Sequence, residues 1–171
     1  MKILYIGSSG ALSLLPFKAL IASGYQIVAV GMDNPVIFQQ KIIALENESL
    51  ALAASWHKIP LINLALPITG IIRQCRDYAV DVIVMACYRK RLPRVLTHFP
   101  AHGCFNLHPS LLPAFRGPEP VFWQMKAAAG MGISWHKVVN DFDAGDIVAQ
   151  QTVSLDDGMD YQQINLHLGS A

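Results

Sequence analysis

Short apolar runs bounded by turn residues alternate along this chain with stretches whose apolar positions recur at helical spacing, an order that predicts an α/β domain. Lys2 to Gly7 reads as an apolar strand, Ser8-Ser9-Gly10 as a turn, and Leu12 to Ser23 as a helix closed by Gly24. Pro16 suits that helix only if it lies in the first turn, where its missing N–H is not needed. Gln26 to Val30 is the next strand and completes a β-α-β opening. Asp33-Asn34-Pro35 breaks the chain, and Val36 to Glu48 predicts a loop with a helical turn. Ser49 to Lys58 places Leu50, Ala53, Ala54 and His57 at helical spacing and assigns Trp56 and His57 to packing and the helix end.

Pro60 to Asn63 predicts a third strand, and Gly70 to Tyr78 a helix with Thr69 as its N-cap. Asp81 to Cys87 carries a continuous apolar run that suits a central strand covered on both faces. Cys104 to His108 is a short strand stopped by Pro109, which lacks a ladder donor. Pro118 to Ala129 predicts a helix with proline at its start and Gly130 at its end, placing Phe122 and Trp123 in the core. Gly132 to Val139 alternates as a strand into the loop Asn140 to Asp146. That acidic loop lacks the alternation and terminal Glu of an EF-hand. Ile147 to Val153 returns as a strand, and Tyr161 opens an amphipathic helix with Ile164, Leu166 and Leu168 on its apolar face.

Composition narrows the class. A length of 171 residues fits one domain with a real core, and 53% hydrophobic against 15% charged residues excludes a disordered chain. Every apolar run is interrupted well short of bilayer thickness, and the opening Met-Lys-Ile-Leu-Tyr-Ile-Gly lacks the apolar core of a signal peptide. A soluble, cytoplasmic protein without a membrane partner is the expectation. Cys75, Cys87 and Cys104 form no C-x-x-C pair and read as small buried hydrophobes, not as a disulfide framework or zinc ribbon. His98, His102 and His108 match no zinc spacing, so no metal is expected. Gly7-Ser8-Ser9-Gly10 lacks the G-x-G-x-x-G spacing of dinucleotide binding, and a net charge of +1 provides no general attraction for nucleic acid.

The candidate chemistry gathers between Phe105 and Pro120. Strand alternation puts Asn106 and His108 on one face while Phe105 and Leu107 point into the packing, so an amide and an imidazole share a strand terminus that opens into a proline-rich loop. The bland alternative is a pair of satisfied polar groups on a half-exposed strand.

Asn-Leu-His-Pro-Ser-Leu-Leu-Pro followed by Arg-Gly, with Asp143-Ala144-Gly145-Asp146-Ile147 further on, resembles the catalytic domain of the folate-dependent formyltransferases, most closely the methionyl-tRNA formyltransferase branch. The likeness extends to the opening strand and to Asp81 to Tyr88, so it covers nearly the whole chain. It implies a Rossmann-like domain over residues 1–171 with a mostly parallel central sheet flanked by helices, cut short where tRNA-formylating relatives continue into a second domain. It also implies 10-formyltetrahydrofolate as co-substrate, with no metal. The acceptor favoured by resemblance is methionyl-tRNA. A sugar-nucleotide amine formyltransferase, a formyltetrahydrofolate hydrolase and a folate-binding domain without turnover stand as alternatives.

Formyl transfer needs a donor for a developing oxyanion, a group able to carry positive charge beside it, and a carboxylate that handles the amine proton. By resemblance Asn106, His108 and Asp143 fill these roles, with Asp143 keeping His108 charged. The resemblance assigns folate contacts to Met85, Cys87, Tyr88, Lys90, Leu92, Val139 and Asp141, and a substrate loop to Ser110, Leu111, Leu112, Pro113, Arg116 and Gly117. The chain departs from the family in two places. Pro118-Glu119-Pro120 stands where Ala-Ala-Pro is common, adding a carboxylate near the acceptor side, and Lys41 is the only basic residue between Asn34 and Asn47, where relatives carry a basic loop.

Overall fold

The computed structural model describes residues 1–33 and 49–171, together with the backbone of 37–38 and 41–42. Its elements run β1 (Lys2–Gly7), α1 (Ala11–Ala22), β2 (Gln26–Met32), β3 (Ile37–Phe38), β4 (Lys41–Ile42), α2 (Leu50–Trp56), β5 (Leu61–Asn63), α3 (Ile68–Asp77), β6 (Val82–Ala86), α4 (Arg94–Thr97), β7 (Cys104–His108), α5 (Pro120–Lys126), β8 (Met131–Lys137), β9 (Ile147–Val153) and α6 (Tyr161–Ser170). A seven-stranded sheet takes the order β5-β2-β1-β6-β7-β8-β9. The strands from β5 to β7 are parallel, and β8 and β9 are added antiparallel. This is the α/β architecture that the pattern of the chain predicts, with the mostly parallel sheet that the resemblance implies.

Alternation along β1 divides the core into two layers. Ile3 and Tyr5 pack on one face with Leu14 and Phe17 of α1, Leu50 of α2, Val121 of α5 and Leu168 of α6. Leu4 and Ile6 pack on the other with Ile71 and Cys75 of α3 and Leu96 of α4. With helices on both faces, the ligand-accessible edge is the carboxyl end of the parallel strands, where Gly7, Ala86 and His108 finish side by side. Ser13 ties this edge together: its Oγ donates to the Ala86 carbonyl at 2.9 Å and accepts from the Ser8 N–H at 2.9 Å.

Several expectations are corrected. Of the stretch from Val36 to Glu48, expected as a loop with a helical turn, the described residues form the short antiparallel pair β3–β4, and the expected turn falls outside the described residues. Pro16 lies past the first turn of α1, because the helix already begins at Ala11. Pro67, not Thr69, occupies the N-cap of α3. α5 is shorter than predicted and turns Val121 and Gln124 inward, leaving Phe122 and Trp123 each 49% exposed. Trp56 is 69% exposed, because Leu50, Ala53 and Ala54 already fill the inward face of α2. Leu166 of α6 is likewise exposed, while Ile164 and Leu168 are buried as expected. Large apolar residues do not have to be inside; period and neighbours decide which ones are. Among the described residues no helix is long and apolar enough to cross a membrane.

Candidate functional site

Strand pairing builds the centre of the site. β7 lies between β6 and β8, with Asn106 opposite Met85 on one side and His136 on the other. Directly opposed residues of an antiparallel pair project from the same face, so Asn106 and His136 meet there. Asn106 Nδ2 is 3.1 Å from His136 Nε2. The Nδ1 of His136 donates to the Lys137 carbonyl at 3.0 Å, because a carbonyl can only accept. Its Nε2 is left facing the Asn106 amide and, at 3.3 Å, Oδ1 of Asp143.

Asp143 arrives on the loop between β8 and β9. Its own φ is 48°, and Gly145 follows where a Cβ would overlap the Lys137 carbonyl oxygen, so the loop folds back flush against β8. The Lys137 N–H donates to the Asp146 carbonyl at 2.9 Å and fixes that return. Oδ2 of Asp143 accepts from the Gly117 N–H at 2.9 Å and lies 3.5 Å from His108 Nδ1. His108 Nε2 donates to the Phe115 carbonyl at 2.8 Å. One carboxylate thus faces two imidazoles and a backbone amide, and the three predicted residues Asn106, His108 and Asp143 share one centre.

His108 is 4% exposed, and burial lowers its pKa from the ordinary value. Asp143 and the Phe115 carbonyl pull the other way without reversing the shift, while His136 adds to it. The expectation that Asp143 keeps His108 charged is corrected to this extent: burial outweighs the carboxylate, and the resting ring is neutral near pH 7. For Asp143, burial pushes the pKa up, but the hydrogen bond with His136, the charge of His108 and the Gly117 N–H together bring it below the usual carboxylate value.

Two cavities meet at this centre. The smaller, about 440 Å³, lies between the segment after β6 and the Asp143 loop. The larger, about 750 Å³, lies between the β1–α1 turn, the Gly117–Val121 segment and the start of α6. Tyr88, Asn106, Phe142 and Asp143 line both; His136 lines the smaller and His108 the larger. Of the residues assigned to folate, Met85, Tyr88, Lys90, Leu92, Val139 and Asp141 line the smaller cavity. Cys87 lines the larger one instead, its φ of 53° having broken the strand alternation. Cys87 is only partly buried, not the buried hydrophobe expected, although burial raises its thiol pKa to about 11. Asp33 steadies the wall, accepting from Tyr88 Oη at 3.0 Å and pairing with Lys90 Nζ at 3.0 Å. Arg91 crosses to the opposite wall, its guanidinium 5.1 Å from the centre of the Phe142 ring.

Of the predicted substrate loop, Gly117 lines the larger cavity, while Ser110, Leu111, Leu112, Pro113 and Arg116 line neither. Ser110 is buried and donates to the Ala114 carbonyl at 2.7 Å, and the Leu112 N–H donates to Ser134 Oγ at 3.0 Å. Gln150 Nε2 donates to the Leu112 carbonyl at 2.9 Å. These contacts fix the loop from behind and present the Phe115 carbonyl and Gly117 N–H to His108 and Asp143. Among the described residues no group of three or more His, Cys, Asp or Glu is arranged to hold a metal ion.

Comparison with known proteins follows the same line. Residues 66–168 match the family model described as formyl transferase. The methionyl-tRNA formyltransferase of Herpetosiphon aurantiacus is 33% identical over 159 residues, which is 91% of this chain and 51% of that protein. That of Halalkalibacterium halodurans is 32% identical over 161 residues, 92% of this chain and 50% of that protein. The chain therefore spans about half the length of the curated relatives it matches. Among solved structures, phosphoribosylglycinamide formyltransferase from Anaplasma phagocytophilum superposes with a TM-score of 0.79 at 23% identity, over 98% of this chain and 79% of that one. A formyltetrahydrofolate deformylase from Pseudomonas syringae pv. tomato gives 0.76 at 21%, over 99% and 57%. These two likenesses concern the fold.

Proposed function

This chain belongs to the formyl transferase family, and on that premise we propose that it transfers a formyl group from 10-formyltetrahydrofolate to a primary amine, with Asn106, His108 and Asp143 as its catalytic residues. The observation that carries the reading is the meeting of two cavities at Asn106 and Asp143. A group-transfer enzyme has to bring donor and acceptor together at one set of reacting groups.

The smaller cavity fits a folate. Met85, Leu92 and Val139 offer apolar surface to a flat ring, Asn140 and Asp141 offer polar edges, and Lys90, Arg91 and Arg94 suit carboxylates. Bound there, the folate would supply the formyl carbon as an N-formyl amide. The Asn106 amide can donate a hydrogen as negative charge develops on the formyl oxygen. Asp143 accepts the proton lost by the attacking amine, and His108 Nδ1 stands next to receive it. A ring that is neutral at rest and charged only as the oxyanion forms favours the transition state over the ground state. The same proton then returns to the departing folate nitrogen. His136 holds Asp143 and orients Asn106, acting as a positioning residue.

Methionyl-tRNA is the acceptor supported by the names of the curated relatives, in a cytoplasmic reaction. An amino-sugar nucleotide is the second reading, favoured by the net charge of +1, which gives little general attraction for a phosphate backbone. The test is an acceptor panel of methionyl-tRNA, an amino-sugar nucleotide and water, with 10-formyltetrahydrofolate consumption followed for each. Consumption with an amine supports the reading. Consumption with water alone supports hydrolysis, and folate binding without consumption supports a binding domain.

A further inference from the structure

Gln124 is fully buried on the inward side of α5, a place that leucine or methionine would fill with no polar group to satisfy. Only half of its amide is used. Nε2 donates to the Pro109 carbonyl at 2.7 Å and to the Pro120 carbonyl at 3.0 Å. Oε1 is buried with no hydrogen-bond partner among the described residues. Turning the amide over would aim Oε1 at two carbonyls, which only accept, so those carbonyls fix its orientation. An unpartnered buried oxygen costs the desolvation of the group. Packing does not explain a glutamine that carries this cost; what its two amide hydrogens hold does.

They hold both ends of one segment. Pro109 directly follows His108 at the end of β7, and Pro120 opens α5. Proline has no N–H, so each of these residues can be hydrogen-bonded through its carbonyl alone. Between them, the Phe115 carbonyl accepts from His108 Nε2 at 2.8 Å, and the Gly117 N–H donates to Oδ2 of Asp143 at 2.9 Å. Ser134 and Gln150 secure the earlier half of the segment through Ser110 and Leu112. The later half, which meets the imidazole and the carboxylate, enters α5 through Glu119 at a φ of 54°, a left-handed conformation that its surroundings have to maintain. The side-chain contacts of Glu119, to Arg89 and Tyr161, are exposed and long at 3.3 Å. Gln124 holds the next residue from inside the core.

Building on the formyl-transfer reading, we propose that Gln124 is a positioning residue for the transfer: through Pro109 and Pro120 it fixes the segment that sets the Phe115 carbonyl against His108 and the Gly117 N–H against Asp143.

Gln124→Met keeps the length of the side chain and loses both donors. It leaves the Pro109 carbonyl unpaired but also removes the unpartnered oxygen, so its two effects on stability oppose each other. The thermal midpoint should change little, while kcat falls by about tenfold, a fraction of what an ångström-sized misplacement of a reacting group costs, and the KM for the folate donor stays level. The imidazole ¹⁵N and ¹H signals of His108 report the ring without turnover and should move. Gln124→Glu is the conservative rescue. Burial keeps its carboxyl protonated to well above the ordinary value, and the protonated form can donate to one of the two carbonyls. Its kcat relative to the parent should be near parental at low pH and fall as the pH rises through that raised value, a step that Gln124→Met does not show. A methionine variant with parental kcat, or with parental His108 signals, would overturn the proposal, and a lowered thermal midpoint with kcat preserved would mark Gln124 as structural only. If kcat and midpoint fall together, the step in the glutamate variant supports positioning and its absence overturns it. A parent that transfers formyl to no acceptor, with His108 signals that move in the methionine variant, would remove the formyl-transfer reading and leave the positioning of His108 standing. Transfer that continues at the parental rate with unmoved signals would do the reverse.

Discussion

Nε2 of His136 lies 3.3 Å from Oδ1 of Asp143, so the carboxylate that lines both cavities is held by a histidine from β8, the strand next to the one that carries Asn106 and His108. His108 and the Gly117 N–H reach the other oxygen of the same carboxylate. Removing His136 should therefore misplace Asp143 without emptying either cavity.

For His136→Ala we expect kcat to fall by about 100-fold, the scale of an ångström-sized misplacement of a reacting group, with the KM for the folate donor little changed. His136→Gln, which can still place a side-chain donor towards Asp143, should recover part of the loss. Steady-state kinetics with the donor varied checks both. An unchanged kcat in the alanine variant would mean that His108 and Gly117 hold the carboxylate unaided.

Asp143→Asn removes the leading influence that opposes the burial of His108. The His108 pKa should then fall further below its ordinary value, and turnover should drop by about 100- to 1000-fold while folate affinity stays close to that of the parent. NMR titration of the ring measures the first effect and single-turnover kinetics the second. The same His108 pKa in both proteins would contradict the coupling.

Both shifts act on stability in the acid direction. His108 binds a proton in the unfolded chain below its ordinary value of 6.5, but the buried ring resists it. Its contribution is complete above pH 6.5 and is lost as the pH falls from there towards the lowered folded value. Asp143 starts from 3.8 and is lowered in the fold, so its contribution is complete above that value and disappears as the pH drops through the folded one. Urea midpoints should be level above pH 6.5 and fall below it, and His108→Gln should flatten the first decline. A wild-type midpoint that does not change between neutral pH and the carboxylate range would rule this out.

Gly145→Ala would drive a Cβ into the Lys137 carbonyl and lift the Asp143 loop off β8. We expect a loss of about 1 to 3 kcal/mol in stability, typical of overpacking against a fixed neighbour, together with lower turnover. Thermal unfolding and kinetics on the same preparation would show both.

Much of this site is legible in the chain because strand period alone places Asn106 and His108 together, and the resemblance of the Asp143 loop supplies the third group. His136 is not legible in that way. Alternation sets it on a face with Ser134 and Val138, but only the pairing of β7 with β8, in a register that puts His136 opposite Asn106, brings it to the site. Cys87 misleads for a local reason, since a left-handed residue directly after β6 turns the side chain to the other cavity. Phe122 and Trp123 mislead because bulk does not decide which side of a short helix faces inward; Val121 and Gln124 hold that side of α5.

The most direct test of the account follows the formyl carbon. With 10-formyltetrahydrofolate labelled with ¹³C at the formyl group, and methionyl-tRNA or an amino-sugar nucleotide as acceptor, the label should leave the folate and appear as an N-formyl amide on the acceptor. Asn106→Ala should slow that step by about 100- to 1000-fold, the cost of losing one oxyanion donor. Label that remains on bound folate with every amine offered would contradict formyl transfer at this site.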